Sequence, residues 1–131
     1  MLYRGGYKYQ LAASERFQTG IPAVCNTKFM VMDGMGGLDV LAGYAWDGPS
    51  GITLDTASFM RGSLCHDALY QLMREGVIDV SWRARADQLL REICLQSGMW
   101  PARAWWVYHA VRRHGEASAL PKNARPVLYA P

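Results

Sequence analysis

Residues 43–74 contain the side chains of this chain that are best suited to chemistry. His66 and Asp67 are adjacent in a segment whose residues recur at spacings of three and four, which is typical of one helical face. The face consists of Phe59, Gly62, Ser63, His66, Leu69, Tyr70 and Met73. His66 lies in its middle, and Asp67 is about 100° further around the helix. This arrangement favours a general base beside a metal ligand.

Two further acidic residues are candidates for the same site. Asp47 lies in the glycine-containing loop that precedes the helix, and Asp87 lies at the margin of the apolar stripe of the next helix. Counted from the intervening turn, His66 and Asp87 differ in axial position by roughly half a turn to one turn. Contact between them is allowed by the sequence but is not forced.

Each candidate also has a purely structural interpretation. His66 could be a core histidine bonded to Asp87, and Asp67 could pair with Arg74. Asp87 has arginines one turn away on its own helix, which favours a surface ion pair. Asp47 begins an Asp-Gly pair, which is common in turns. Cys65 is interpreted as a small buried hydrophobic residue and not as a nucleophile.

The elements that position these residues follow from periodicity and turn signals. Two β-rich runs, 27–32 and 38–46, flank a glycine-dense turn and predict a hairpin. The tyrosine-rich start predicts a short strand or two, and residues 21–25 predict an edge strand because proline is tolerated there. Helices are predicted from Thr56 or Ser58 to Arg74, over 82–97 with a Ser81 cap, and from Pro101 to Gly115.

These elements predict an α+β fold, with an N-terminal β-hairpin region followed by three helices. Two of the helices should be antiparallel around the His–Asp site, because the link between them is short. A chain of 131 residues is expected to form a single domain. Its predicted parts are a β-rich part at 1–46, a helical part at 47–115 and an extended tail at 116–131.

Composition restricts the classes of function. The net charge of +3 is too small to favour nucleic acid as a partner. No apolar segment is long enough to span a bilayer, and the first residues lack a signal-peptide pattern, which predicts a protein of the cytoplasm. Three cysteines without a CxxC pair favour reduced thiols. The aromatic and basic residues of the third helix favour one packed and one solvated face, with lipid headgroups as a minor alternative.

Most of the chain resembles a family of short phage and prophage proteins that is described only as a domain of unknown function. The resemblance rests on the G-Y-A-W-D-G-P-S loop at 43–50, the G-S-L-C-H-D-A-L-Y helix at 62–70 and the R-A-D step at 85–87. It also includes the tryptophan-rich third helix, which ends V-R-R-H-G at 111–115. The resemblance implies a phage origin and other virion proteins as partners, but no activity.

The segment from Asp47 to Asp87 is also similar to secreted calcium-dependent phospholipases of the compact bacterial and fungal type. The shared order is an Asp-Gly loop, a Cys-His-Asp step with an aromatic residue three positions later, and an aspartate on the following helix. The resemblance implies that His66 is the general base and that Asp87 orients it, with Tyr70 in support. It also implies that Asp47 and Asp67 bind calcium, which takes six to eight oxygen ligands, some of them from backbone around Gly48.

The sequence therefore predicts a metal-dependent, calcium-dependent ester hydrolase that acts on envelope phospholipid. The alternative is a non-enzymatic virion or tail-assembly component in which the same polar residues only hold helices together. A minor third interpretation is a zinc hydrolase of the cell wall that uses His66 and Asp67. A serine nucleophile is not favoured, because Ser50 does not lie in a G-x-S-x-G pattern.

Overall fold

The computed structural model describes residues 3–4, 9–46 and 57–120, and it confirms the α+β class. Within these ranges, seven short strands precede the helices. All of their pairings are antiparallel, in one sheet of order β1-β2-β7 and another of order β3-β6-β5-β4. The strands are β1 (Tyr3–Arg4), β2 (Tyr9–Leu11), β3 (Glu15–Gln18), β4 (Val24–Asn26), β5 (Met30–Asp33), β6 (Gly37–Val40) and β7 (Ala45–Trp46).

The predicted hairpin is present as β5 and β6, which pair Met32 with Leu38. Its turn is stabilised by Asp33, whose Oδ1 accepts hydrogen bonds from the backbone nitrogens of Met35 and Gly37 at 2.8 and 3.0 Å. Gly34 and Gly36 both have positive φ in this turn, a conformation that glycine adopts without steric cost.

The tyrosine-rich start forms β1 and β2, as predicted, but the remaining strand predictions need correction. The run 38–46 is not one strand: it ends at Val40 and resumes as β7 in the other sheet, after a turn in which Gly43 has a φ of +98°. The predicted edge strand at 21–25 is shorter and lies at 24–26, although it is at the sheet edge. The strand β3 was not predicted, because only Phe17 of its four residues is apolar and buried.

The helices are α1 (Ala57–Arg74), α2 (Arg83–Gln96), α3 (Pro101–His114) and a short α4 (Glu116–Ala119). Gly76, with a φ of +73°, follows α1, and Pro101 opens α3 as predicted. The predicted cap of the second helix is wrong. Asp79, not Ser81, caps a single 3₁₀ turn at Val80–Trp82, because its side chain accepts a hydrogen bond from the Ser81 nitrogen.

The α4 helix lies where an extended tail was predicted; residues 121–131 are outside the described part. A short helix is compatible with E-A-S-A, because alanine has high helix propensity and Glu116 lies in the first turn, where a negative charge suits the helix dipole. Ala119 is buried.

Helices α1 and α2 pack antiparallel in close contact at Gly62. A Cβ atom placed on Gly62 would lie 2.8 Å from Cys94 Sγ and 3.0 Å from Leu90 Cδ1, so the glycine is required for this approach. Helix α3 contributes further side chains to the apolar core that it shares with α1 and α2. This core consists of Phe59, Leu90, Cys94, Met99, Ala104, Val107 and Val111.

In the described ranges, the strands up to Trp46 belong to one compact unit and the helices from Ala57 belong to another. Cys25, Cys65 and Cys94 are all buried free thiols. No helix in the described ranges is long and apolar enough to cross a membrane.

Candidate active site between three helices

His66 and Asp87 are in direct contact in the interior of the helical unit. The distance from His66 Nε2 to Asp87 Oδ1 is 2.7 Å. The contact forms because Gly62 and Leu90 set the register of α1 against α2, and His66 is one turn beyond Gly62 while Asp87 is one turn before Leu90. The sequence alone did not determine the axial position of α1 relative to α2. The close packing at Gly62 fixes this position and brings His66 next to Asp87.

Asp87 is fully buried and is contacted from all three long helices. Besides His66, the Tyr70 hydroxyl of α1 donates a hydrogen bond to Oδ1 at 2.6 Å. Arg112 of α3 donates to Oδ2 at 2.9 Å, and Arg83 of α2 lies 3.5 Å from the same oxygen. Asp87 is thus not the surface ion-pair residue of the structural interpretation. A buried carboxylate requires this number of partners, because its desolvation is costly.

Arg83 and Gly115 connect the end of α3 to this cluster. The Arg83 guanidinium donates to the carbonyl oxygens of Val111 and Arg112, in the last turn of α3, at 3.4 and 3.3 Å. The Val111 oxygen also accepts a hydrogen bond from the Gly115 nitrogen at 2.8 Å. A Cβ atom on Gly115 would lie 2.8 Å from the Tyr70 hydroxyl oxygen, so only glycine fits there. The three helices therefore share one polar cluster.

Sequence reasoning did not assign Arg112 or Gly115 to this cluster. Arg112 is one of the basic residues from which a solvated face of the third helix is predicted, and Gly115 is the predicted end of that helix. Each interpretation accounts for the residue locally, and neither predicts a contact with another helix. The available signal was the position of Arg112 beside the apolar stripe that contains Val111.

The charges of the cluster reinforce one another. Burial lowers the pKa of His66, but hydrogen bonds and charges from Asp67 and Asp87 outweigh burial and raise it above the usual 6.5. Burial raises the pKa of Asp87, but its hydrogen bonds, chiefly from His66 and Tyr70, bring it below the usual 3.8. Burial and the neighbouring Asp87 both raise the pKa of Tyr70, so Tyr70 stays a neutral donor. The arrangement favours an imidazolium next to a carboxylate.

The hydrogen bond to Asp87 decides which nitrogen of His66 can act as a base. An ionised carboxylate only accepts hydrogen bonds, so Nε2 carries the proton that it shares with Asp87. Nδ1 is then the nitrogen that can accept a proton, and it lies on the side of Asp67, 3.9 Å from Oδ1. About 10% of the His66 side chain is accessible to solvent, compared with 35% of Asp67. The arrangement is that of an oriented base that is almost completely buried.

The predicted metal ligands are only partly within the described residues. Asp67 is described; Asp47 and Gly48 lie outside the described ranges. Within those ranges, no group of three or more His, Cys, Asp or Glu residues could hold a metal ion. The partly exposed carboxylate of Asp67 is a hard oxygen donor of the type that calcium takes, but one carboxylate is too few for a calcium site.

The cysteines have no role in this chemistry. Cys65 is fully buried next to His66 in sequence, and burial raises its pKa to about 12. Cys94 on α2 has its pKa raised to about 12 for the same reason. A thiol with such a pKa is protonated at neutral pH and is a poor nucleophile. This agrees with the interpretation of Cys65 as a buried hydrophobic residue.

The fold and the site define an α+β protein with a His–Asp–Tyr cluster enclosed by three helices. In comparisons with known proteins, no family model, curated protein or solved structure matches the chain. The resemblances to the phage family and to the phospholipases remain predictions.

Proposed function

We propose that this protein is a phage-associated ester hydrolase of phospholipase type, with His66 as its general base. The observation that supports the proposal best is the 2.7 Å contact between His66 Nε2 and Asp87 Oδ1, which leaves Nδ1 as the basic nitrogen. Tyr70 donates to the same carboxylate oxygen and so fixes the Asp87 side chain. An oriented imidazole with a carboxylate partner is what proton abstraction from water requires.

The proposed reaction needs only small movements of protons. Nδ1 of His66 accepts a proton from a water molecule while the water oxygen attacks the carbonyl carbon of the ester. Asp87 stabilises the imidazolium that forms, because its carboxylate is ionised and already hydrogen-bonded to Nε2. The imidazolium then gives the proton to the leaving alkoxide, which restores the neutral ring.

Calcium is the cofactor that the phospholipase resemblance implies. Asp67, together with Asp47 and Gly48, would hold it, and a bound cation would polarise the ester carbonyl and stabilise the oxyanion. Asp67 is suited to this role, because its carboxylate is next to Nδ1 and is partly exposed.

A calcium titration followed by thermal melting tests the cofactor. Specific binding to the native state should raise the melting temperature progressively. At a calcium concentration 100 times Kd, binding stabilises the native state by about 2.7 kcal/mol. Asp67→Asn should lose this response, while Asp39→Asn, on the strand unit, should keep it. No response in the wild type, or an equal response in Asp67→Asn, would rule out this calcium site.

Hydrolysis is tested separately with a short-chain phospholipid kept monomeric in water. Wild-type protein with calcium should release fatty acid, and His66→Gln should reduce kcat by at least about 100-fold, the usual contribution of a general base. Cys65→Ala is the matched control, since it changes the neighbouring residue without removing the base. Equal rates for wild type and His66→Gln would exclude His66 as the base.

A second candidate function is a non-enzymatic virion or tail-assembly component. It is favoured by the complete burial of Asp87 and by its four partners on three helices. These contacts connect the three helices to one another, which is a structural role. In that case His66→Gln would lower the melting temperature, and the wild type would hydrolyse no ester with or without calcium.

A further inference from the structure

Three tryptophans around α3 are exposed to an unusual degree. Trp100, Trp105 and Trp106 have 80%, 53% and 48% of their surface accessible, whereas tryptophan is on average a largely buried residue. Trp105 and Trp106 share one side of α3 with His109 and Arg113, and we call these four residues the tryptophan face. Isolated exposed apolar residues are ordinary, but two neighbouring exposed tryptophans on one helix indicate a binding surface.

The tryptophan face follows from the pattern of α3. Ala104, Val107 and Val111 recur at spacings of three and four and are buried in the core. Trp105 and Trp106, which lie between Ala104 and Val107 in the sequence, are exposed. His109 and Arg113, one and two turns further along the helix, are also exposed. The rings of Trp105 and His109 are in contact, with centroids 4.3 Å apart. The face is therefore an ordered part of a well-packed helix.

The charged side chains of α3 are all basic. Between Glu92 and Glu116 the chain has no acidic residue, while it contains Arg103, Arg112 and Arg113. Arg112 is paired with Asp87, and Arg113 is exposed on the tryptophan face. Such a surface is complementary to an anionic partner. Its few cations and its large amphipathic rings suit the headgroup level of a bilayer, where tryptophan is enriched, better than a nucleic acid, which requires a denser basic footprint.

We propose that the tryptophan face binds the interface of bilayers that contain anionic lipid. The choice of lipid rests on the proposed function, because it would bring a lipid-hydrolysing site to its substrate. Trp105 and Arg112 are seven residues apart, about two turns or ~10 Å along one side of α3. Arg112 contacts Asp87, so the face extends along the helix to the polar cluster.

Sedimentation with vesicles tests this proposal. Wild-type protein should sediment with vesicles of phosphatidylcholine and phosphatidylglycerol, and less with phosphatidylcholine alone. Trp105→Ala/Trp106→Ala should weaken partitioning by at least about tenfold, because the apolar area that enters the interface is lost. Met35→Ala is the matched control: Met35 is exposed and apolar but lies on the strand unit, so binding should not change.

Charge is tested with a second pair of variants. Arg113→Gln should weaken binding to the anionic vesicles by about fivefold, since one cation near such a surface contributes about that factor. Lys28→Gln removes an exposed cation from the strand unit and should have no effect. Equal losses in both variants would mean that overall charge, and not the tryptophan face, attracts the vesicles, and would overturn the proposal.

The outcomes separate this inference from the proposed function. The proposal is overturned if the wild type stays in the supernatant with anionic vesicles, or if the double tryptophan variant binds equally well. It is also overturned if single-stranded DNA binds the face and displaces the vesicles. If the wild type does not hydrolyse the monomeric substrate, while both it and His66→Gln bind the vesicles, only the proposed hydrolase function is contradicted. Hydrolysis of monomeric substrate without vesicle binding would contradict the tryptophan face alone.

Discussion

At the scale of single residues, Asp87 determines the character of the helical unit. Its carboxylate is completely buried, and it is satisfied by one imidazole, one phenol and two guanidinium groups. A buried charge contributes to stability only when its partners compensate for the lost hydration, and removal of one member leaves the others uncompensated. The cluster is therefore sensitive to replacement of Asp87 whether or not it is catalytic.

Asp87→Asn should lower the free energy of unfolding by on the order of 3 kcal/mol. The neutral amide leaves the two arginines without their counter-charge and cannot accept all of the hydrogen bonds. Tyr70→Phe should cost less, about 1–2 kcal/mol, because it removes only one donor. Urea unfolding measures both values. Asp39→Asn, which affects an exposed ion pair, should cause little change; an equally small effect of Asp87→Asn would contradict a stabilising role for the cluster.

The residue scale is also where sequence reasoning reached its limit. Helical periodicity correctly placed His66 and Tyr70 on one inward face, because that depends only on the 3.6-residue repeat. The contact with Asp87 depends on the axial register of two helices, which periodicity does not determine. That register follows from the close approach of the two helices at Gly62. The sequence does not show which residues of the neighbouring helix a glycine inside a helix will contact.

At the scale of elements, helix boundaries were predicted better than strand boundaries. Pro101, Gly76 and Gly115 act through local backbone chemistry, so they mark helix ends in any context. Strand β3 gave no such signal. It pairs with β6, and Arg16 bonds across to Asp39 at 2.9 Å, a contact between residues far apart in sequence. Strands that pair with distant segments and contain mostly polar residues cannot be predicted from local sequence patterns.

Gly62→Ala tests the packing of α1 on α2. In an isolated helix this change stabilises by about 1 kcal/mol, but here the new methyl group would collide with Cys94 and Leu90. Net destabilisation of about 1–3 kcal/mol is expected from overpacking, measured by urea unfolding. Cys94→Ala should remove the sulfur contact, so the double variant should lose less stability than the sum of the single variants. A stabilising Gly62→Ala would show that the helices are not in close contact.

At the scale of the whole molecule, the cluster predicts how stability depends on pH. The raised pKa of His66 contributes stability that is complete below pH 6.5 and is lost as pH rises through the folded-state value. The lowered pKa of Asp87 contributes stability that is complete above pH 3.8 and is lost as pH falls through its folded-state value. The contribution of the pair should therefore be largest between pH 3.8 and 6.5.

The difference in unfolding free energy between wild type and His66→Gln isolates the histidine part, because the other titrating groups are common to both proteins. This difference should be constant between pH 3.8 and 6.5 and should decrease above pH 6.5, as measured by urea unfolding at a series of pH values. Below pH 3.8 it should also decrease, because His66 helps to keep Asp87 ionised in the wild type. A difference that increases with pH above 3.8 would mean that burial dominates and that the folded-state pKa of His66 is lowered.

The same proton links stability to the proposed activity. A general base must be neutral, so hydrolysis should rise with pH, with a midpoint that equals the pKa of His66 measured by NMR at the same calcium concentration. Asp87→Asn removes a negative charge that holds the proton on His66, so the midpoint should shift to lower pH while kcat falls through loss of orientation. Activity therefore increases over the range in which the His–Asp pair contributes less to folding. A rate profile that does not follow the titration of His66 would separate the base from this histidine.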